Sequence, residues 1–323
     1  MTRIHSFSRY NMLLKILVSF QIMCSTLYAS LSSFDNVTTT AVFDLTVTPQ
    51  GLTIPSQSSR PYSVRTNSPI SRIHSFFTPD TPVYLSDTNR NIVTVPLTEA
   101  VETVFCLDFP SELSITPGSL FAEHFGSAML LPPSENRPSF QLIAGNVIDP
   151  TTECYEGTIG YATTGDRAIG FDATVSLIAA EGQTFTNRTV TQLSGARTQF
   201  GIDTQSEKTA IPIDIYRLWE TELLTVAGVA NREDLNRMDW NTFIHRLPTI
   251  QFMVYVSRDS NDVAATILME PADYIEVLSP VGANVKLSPS LFFDRPGMGL
   301  NALRHVGVFL DYVNREIGLC EPL

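Results

Sequence analysis

Short runs of apolar and β-branched residues, parted by Pro, Gly, Asn and Asp, recur along this chain: "TTAVFDLTVT", "GLTIP", "NIVTVPL", "TVFCLDF", "SFQLIAG", "GTIGYATT" and "IGFDATVSLIAA". Runs of that length closed by turn formers are too short for helices, and their β-branched content suits a pleated surface. Period-two alternation reinforces the reading. In "IQFMVYVS" Ile250, Phe252, Val254 and Val256 share one face, and "VGVFLDYV" near the end alternates in the same way.

Helix signals are few. "AIPIDIYRLWETELL" places Ile215, Leu218, Trp219 and Leu223 at helical spacing, and "NREDLNRMDWNTFIHRL" does so with Leu235, Met238 and Phe243. Both predict short helices on a β body. The stretch from Ser56 to Val83 is rich in Ser, Pro and Arg with almost no periodicity, and reads as long loop or ragged strands.

The chain has 323 residues, 43% of them hydrophobic and 17% charged. A β protein of that size exceeds one sandwich or barrel core, which predicts two β lobes. The formal net charge of −12 sets the surface against phosphate backbones and anionic membranes. Lys15, Lys208 and Lys286 are the only lysines, and the basic residues form no run. No nucleic-acid partner is expected.

From Met12 to Ser30, "MLLKILVSFQIMCSTLYAS" follows a basic prelude with an apolar run and then small residues, the layout of a secretory signal cleaved near Ala29. The run is broken by Lys15 and Gln21 and falls short of the ~20 apolar residues of a membrane span. The expectation is a secreted or luminal protein without a membrane association once residues 1–29 are removed. Asn36 and Asn187 open Asn-x-Thr triplets that would accept glycans on that route.

Removal of the signal takes Cys24 and leaves Cys106, Cys154 and Cys320, an odd number for an oxidising compartment. A Cys106–Cys154 disulfide with Cys320 unpaired is the pairing expected. Three buried thiols are the alternative, since spacing alone fixes no connectivity.

Several chemistries lack their residues. His74, His124, His245 and His305 are scattered without HExxH or His-x-His spacing, so no metal is expected. "TPGSLF" lacks the second glycine of a GxSxG elbow, and "GMGLNA" sits in no βαβ unit. No cofactor is expected either.

The C-terminal stretch "GLNALRHVGVFLDYVNREIGLCEPL" resembles the closing strands of pepsin-like aspartic proteases, with Gly299, Leu303, Arg304, Asp311, Ile317, Gly318 and Leu319 in register. Going backward, "LPTIQFMV" looks like the family's Leu-Pro-x-Ile-x-Phe strand and "EPADYI" like its Pro-x-x-Tyr strand. "FQLIAGNVIDPTTECYEGTIGY" carries Gly145, Asp149, Tyr155 and Gly157 of its Phe-Gly-Gly-x-Asp-x-x-x-Tyr-x-Gly region. "GIDTQSEKTAIP" occupies the place of the second catalytic loop, so Asp203 is the candidate catalytic aspartate and Thr204 and Ser206 its orienting hydroxyls. The resemblance covers roughly Phe140 to the C-terminus. In the first half, "FGSAMLLPPS" is similar to a worn Phe-Asp-Gly-Ile-Leu-Gly-Leu, and no counterpart of the flap tyrosine is found. "DLTVTPQGLTIPS" aligns with the first catalytic loop through Leu52, Ile54, Pro55 and Ser56, which puts Thr46 at the first aspartate position.

The resemblance implies two pseudo-symmetric β-barrel lobes with a few short helices, residues 30–164 and 165–323. It also implies a monomer with a peptide or protein ligand in the interlobe cleft. Aspartic proteolysis needs two carboxylates about 3 Å apart sharing one proton, so that one acts as base while the other acts as acid. With Thr46 in place of one of them, and Gln205 in place of the loop glycine, the expectation is a non-catalytic homologue. Two alternatives stand beside it. One is an active acid endopeptidase in which a bulge brings Asp44 to the loop tip. The other is a secreted β-sandwich recognition module, whose halves would not superpose.

Overall fold

The computed structural model describes residues 40–323, except 57–60, 75–81, 96–100, 105–110, 166–167, 186–187, 280 and 291–294. The expected signal segment, Asn36, Cys106 and Asn187 lie outside the described residues. Strands dominate the rest, so the protein is all-β with few helices.

Alternation places the strands where it was read. Along Thr249–Tyr255 buried and half-buried residues alternate, with Ile250, Phe252 and Val254 fully enclosed. Val256, on the same face by parity, lies past the strand end and is exposed. The helix Ile213–Ala227 buries Ile215, Trp219, Leu223 and Val226, one stripe at the helical period, and ends on Gly228 at φ 72°. The second expected helix is broken. Residues 231–247 form a short helix Arg232–Leu235 and two 3₁₀ turns, Trp240–Thr242 and Ile244–Arg246. Side chains cause the break: Asn231 Oδ1 caps Asp234 N, and Asp239 Oδ1 then accepts from Asn241 N to start a new turn.

Among the described residues the strands form an eleven-stranded and an eight-stranded sheet and two small hairpins. One pairing pattern occurs in both large sheets. In the first, Tyr62–Arg65 runs parallel to Glu112–Ser114, and Ser71–His74 lies antiparallel to Glu112–Ser114 and parallel to Val101–Val104. In the second, Thr198–Ile202 runs parallel to Gly297–Met298, and Thr209–Pro212 lies antiparallel to Gly297–Met298 and parallel to Leu287–Ser290. Each pattern continues into a short helix, Leu120–His124 or Leu300–Leu303, and then a hairpin. The hairpins are Ser127–Leu131 with Phe140–Gly145, and Gly307–Asp311 with Glu316–Cys320. They meet side by side, Leu130 opposite Val308 and Ala128 opposite Leu310. Their outer strands pair with Ala41–Thr48 and Gly160–Thr163 respectively. The C-terminal hairpin thus completes a sheet whose other strands come from residues 41–163.

One expectation is sharpened and one corrected. The stretch from Ser56 to Val83, read as long loop or ragged strands, contains the short strands Ser71–His74 and Tyr62–Arg65, and every residue of the latter is buried. A four-residue strand enclosed on both faces shows no alternation, and its Ser and Arg hide it further. The disulfide joins Cys154 to Cys320, so Cys320 is not unpaired and Cys154 does not bond Cys106. The chain beyond Glu316–Cys320 returns to Cys154, which bridges to Pro322, and the Cys154 and Cys320 Cα atoms stand 5.9 Å apart. Pairing of the last strand, rather than sequence spacing, selects the partner.

Candidate functional site

Asp203 sits just past the strand Thr198–Ile202, where its N–H donates to Met298 O at 2.9 Å. The carboxylate turns back onto its own loop and accepts from the main-chain amides of Gln205, at 3.0 Å, and Ser206. Burial pushes this carboxyl above the usual carboxylate range, and those two amides pull against the shift without cancelling it. Ser206 Oγ closes the loop, donating to Lys208 O at 2.9 Å and accepting from Lys208 N at 3.0 Å.

The loop that faces Asp203 follows Tyr62–Arg65. Thr204 Oγ1 donates to Val64 O at 2.8 Å, and Thr66 Oγ1 donates to Ile202 O at 2.6 Å, each hydroxyl reaching the carbonyl two residues before its counterpart. Both threonines are buried, and their hydroxyl oxygens lie 3.4 Å apart. The equivalence extends outward: Ser71 Oγ accepts from Ser114 N at 3.0 Å as Thr209 Oγ1 accepts from Gly299 N at 3.1 Å. Ser68 Oγ accepts from Ile70 N as Ser206 Oγ does from Lys208 N. Val64-Arg65-Thr66-Asn67-Ser68 is therefore the counterpart of Ile202-Asp203-Thr204-Gln205-Ser206, and Arg65 is the counterpart of Asp203.

The assignment of the first aspartate position to Thr46 is corrected by this geometry. Thr46 is exposed on the strand Ala41–Thr48, opposite Thr53, and its carbonyl accepts from Thr53 Oγ1. The hairpin it belongs to does touch the Asp203 loop, but through Gly51 and Leu52. Leu52 N donates to Thr204 O at 2.8 Å. Gly51, at φ 94°, packs so closely that a Cβ there would stand 2.2 Å from Thr204 O. Asp44 is exposed on the same strand opposite Gln141, whose Nε2 donates to its Oδ1 at 2.8 Å.

Arg65 brings no carboxylate, and its guanidinium is engaged by Glu112, Asn67 and Ile70. Its Nη1 lies 3.3 Å from Glu112 Oε2 and donates to Ile70 O, while Nε donates to Asn67 Oδ1 at 3.0 Å. Glu112 also faces Arg72 at 3.6 Å and accepts from Gln205 Nε2 at 2.9 Å. Gln205, which stands where the family resemblance expects glycine, thus ties the Asp203 loop to the Arg65 strand through Glu112.

The chain matches no protein-family model and no curated protein.

A cleft of about 520 Å³ opens beside the two loops, with Thr66, Asn67, Asp203, Ser206, Lys208 and Arg295 on its wall. Its size is within the ~300–1,000 Å³ of ligand sites. A second cavity of about 620 Å³ lies between Thr158, Thr266, His305 and Cys320 and contains neither threonine of the paired loops. The 520 Å³ cleft is the chemical candidate because it alone of the two holds the perturbed carboxylate. Among the described residues no group of three His, Cys, Asp or Glu could hold a metal ion, and no helix is long and apolar enough to cross a membrane.

Sequence reasoning reached Asp203, Thr204 and Ser206 but missed Thr66 and Arg65. The available signal was the pair "VRTNS" and "IDTQS", whose threonines are 138 residues apart, each with a hydroxyl residue seven positions after the apolar one.

Proposed function

We propose that this chain is a two-lobed, pepsin-type aspartic protease homologue that has lost catalysis and uses the cleft beside Asp203 to bind an extended peptide, acting in the secretory route. The observation that carries this reading is the reciprocal pair Thr66–Ile202 and Thr204–Val64, with Arg65 standing opposite Asp203. The two buried threonines hold the loops of Arg65 and Asp203 head to head, at the place where a dyad would need its two carboxylates to meet. One carboxylate and one guanidinium cannot share a proton as two carboxylates do. The recurrence of one pairing pattern in both large sheets supports two related lobes and weighs against a simple β-sandwich. The position of Asp44, mid-strand and bonded to Gln141, weighs against the active-enzyme alternative.

Casein digestion across the acid range, with and without pepstatin, tests the reading. The native chain is expected to leave casein intact, and Arg65→Asp combined with Asn67→Gly and Gln205→Gly to introduce pepstatin-sensitive cleavage. Cleavage by the native chain that pepstatin stops and Asp203→Asn abolishes would overturn it.

A further inference from the structure

The cleft beside Asp203 has a charge balance opposite to that of the chain. Overall, 33 acidic residues outnumber 21 basic ones. Among the described residues of the cleft wall, the charged ones are Asp203 on one side of the balance and Lys208 and Arg295 on the other. Lys208 and Arg295 are exposed, and neither enters an ion pair among the described residues. Two nearby carboxylates among the described residues are engaged elsewhere. Glu207, next to Lys208, faces Lys286 Nζ at 3.9 Å instead, and Glu112 is held by Arg65, Arg72 and Gln205.

Both cations rise from anchored backbone. Lys208 N is held by Ser206 Oγ, and its carbonyl lies against Gly299, where a Cβ would come within 2.3 Å. Pro296, following Arg295, accepts from Gly201 N at 2.9 Å, two residues before Asp203. The charges are therefore presented from anchored backbone on the wall that also carries Asp203, and cationic side chains lining a cleft concentrate anions there.

We propose that the cleft takes an acidic peptide segment, with carboxylate side chains of the ligand on Lys208 and Arg295 and its backbone against the polar wall formed by Asn67 and Ser288. This rests on the reading of the cleft as a peptide site and adds the class of peptide.

Fluorescence anisotropy of the full folded protein with three fluorescein-labelled hexapeptides, Glu/Ala, Gln/Ala and Lys/Ala, tests it. The Glu/Ala peptide is expected to bind tightest and Lys/Ala weakest, with the preference shrinking as salt screens it. Lys208→Glu with Arg295→Glu should weaken Glu/Ala binding about tenfold or more and invert the order. Lys208→Gln and Arg295→Gln, milder changes at exposed positions, should each give part of that loss. Equal binding of Glu/Ala and Gln/Ala, unmoved by the reversal, would overturn the charge preference and leave the peptide cleft standing. A native preference for Lys/Ala would do the same. Binding of none of the three peptides would overturn both readings.

Discussion

Thr66 and Thr204 sit with their hydroxyl oxygens 3.4 Å apart, and each gives its proton to a carbonyl of the opposite loop. Both hydroxyl protons are thereby used, so the contact between the two oxygens is enforced by the flanking bonds and joins two strands of different sheets.

Replacing either threonine by valine keeps the shape and removes the donor, leaving Val64 O or Ile202 O short of its buried partner. Thr204→Val and Thr66→Val should each destabilise the fold by about 1–3 kcal/mol. Because the two bonds hold one junction, the double variant should cost less than the sum of the singles. Urea denaturation of the four proteins measures the coupling, and strict additivity would contradict a shared junction.

Asp203 is raised above the ordinary carboxylate range by burial. The unfolded carboxyl titrates near pH ~3.9, so the folded chain holds this proton more tightly. The stability so contributed is fully present below the unfolded value and is lost as pH rises through the folded one. Asp203→Asn should therefore gain stability relative to the native chain at neutral pH and show no such gain in strong acid. Thermal unfolding at the two extremes checks the sign.

Gly51 carries a left-handed φ and leaves no room for a side chain against Thr204 and Gln205. Gly51→Ala should cost at least about 2 kcal/mol and speed exchange of the Leu52 amide, which bonds Thr204 O. An unchanged exchange rate would mean that the hairpin does not brace the loop.

The Cys154–Cys320 bond closes a loop spanning 166 residues. Cys154→Ser should lower stability by about 2–5 kcal/mol, and reduction of the native protein should lower Tm while leaving that of Cys154→Ser unmoved.

How much of this was readable depended on the length and sidedness of each segment. Thr249–Tyr255 and Ile213–Ala227 have one buried and one open face, so their periods survive in the sequence. Tyr62–Arg65 is enclosed on all sides and offers no period, which is why its segment reads as loop or ragged strand and why Thr46, one hairpin earlier, reads as the counterpart of Asp203. The feature the two loops share is the threonine and not an aspartate, so an aspartate motif does not point to the Arg65 loop. Cysteine pairing was illegible for a different reason, since Cys154 and Cys320 meet only after the last strand has paired.

That last pairing has a consequence for synthesis. Ser127–Leu131, "SAMLL", is buried along its whole length, and its outer neighbour is Gly307–Asp311. A ribosome delivers the first of these well before the second, at roughly 5–20 residues per second. For that interval the nascent chain carries a bare apolar sheet edge, a template for pairing with other chains. A form truncated before residue 307 is therefore expected to aggregate through this edge, since the middle of the sheet is completed last.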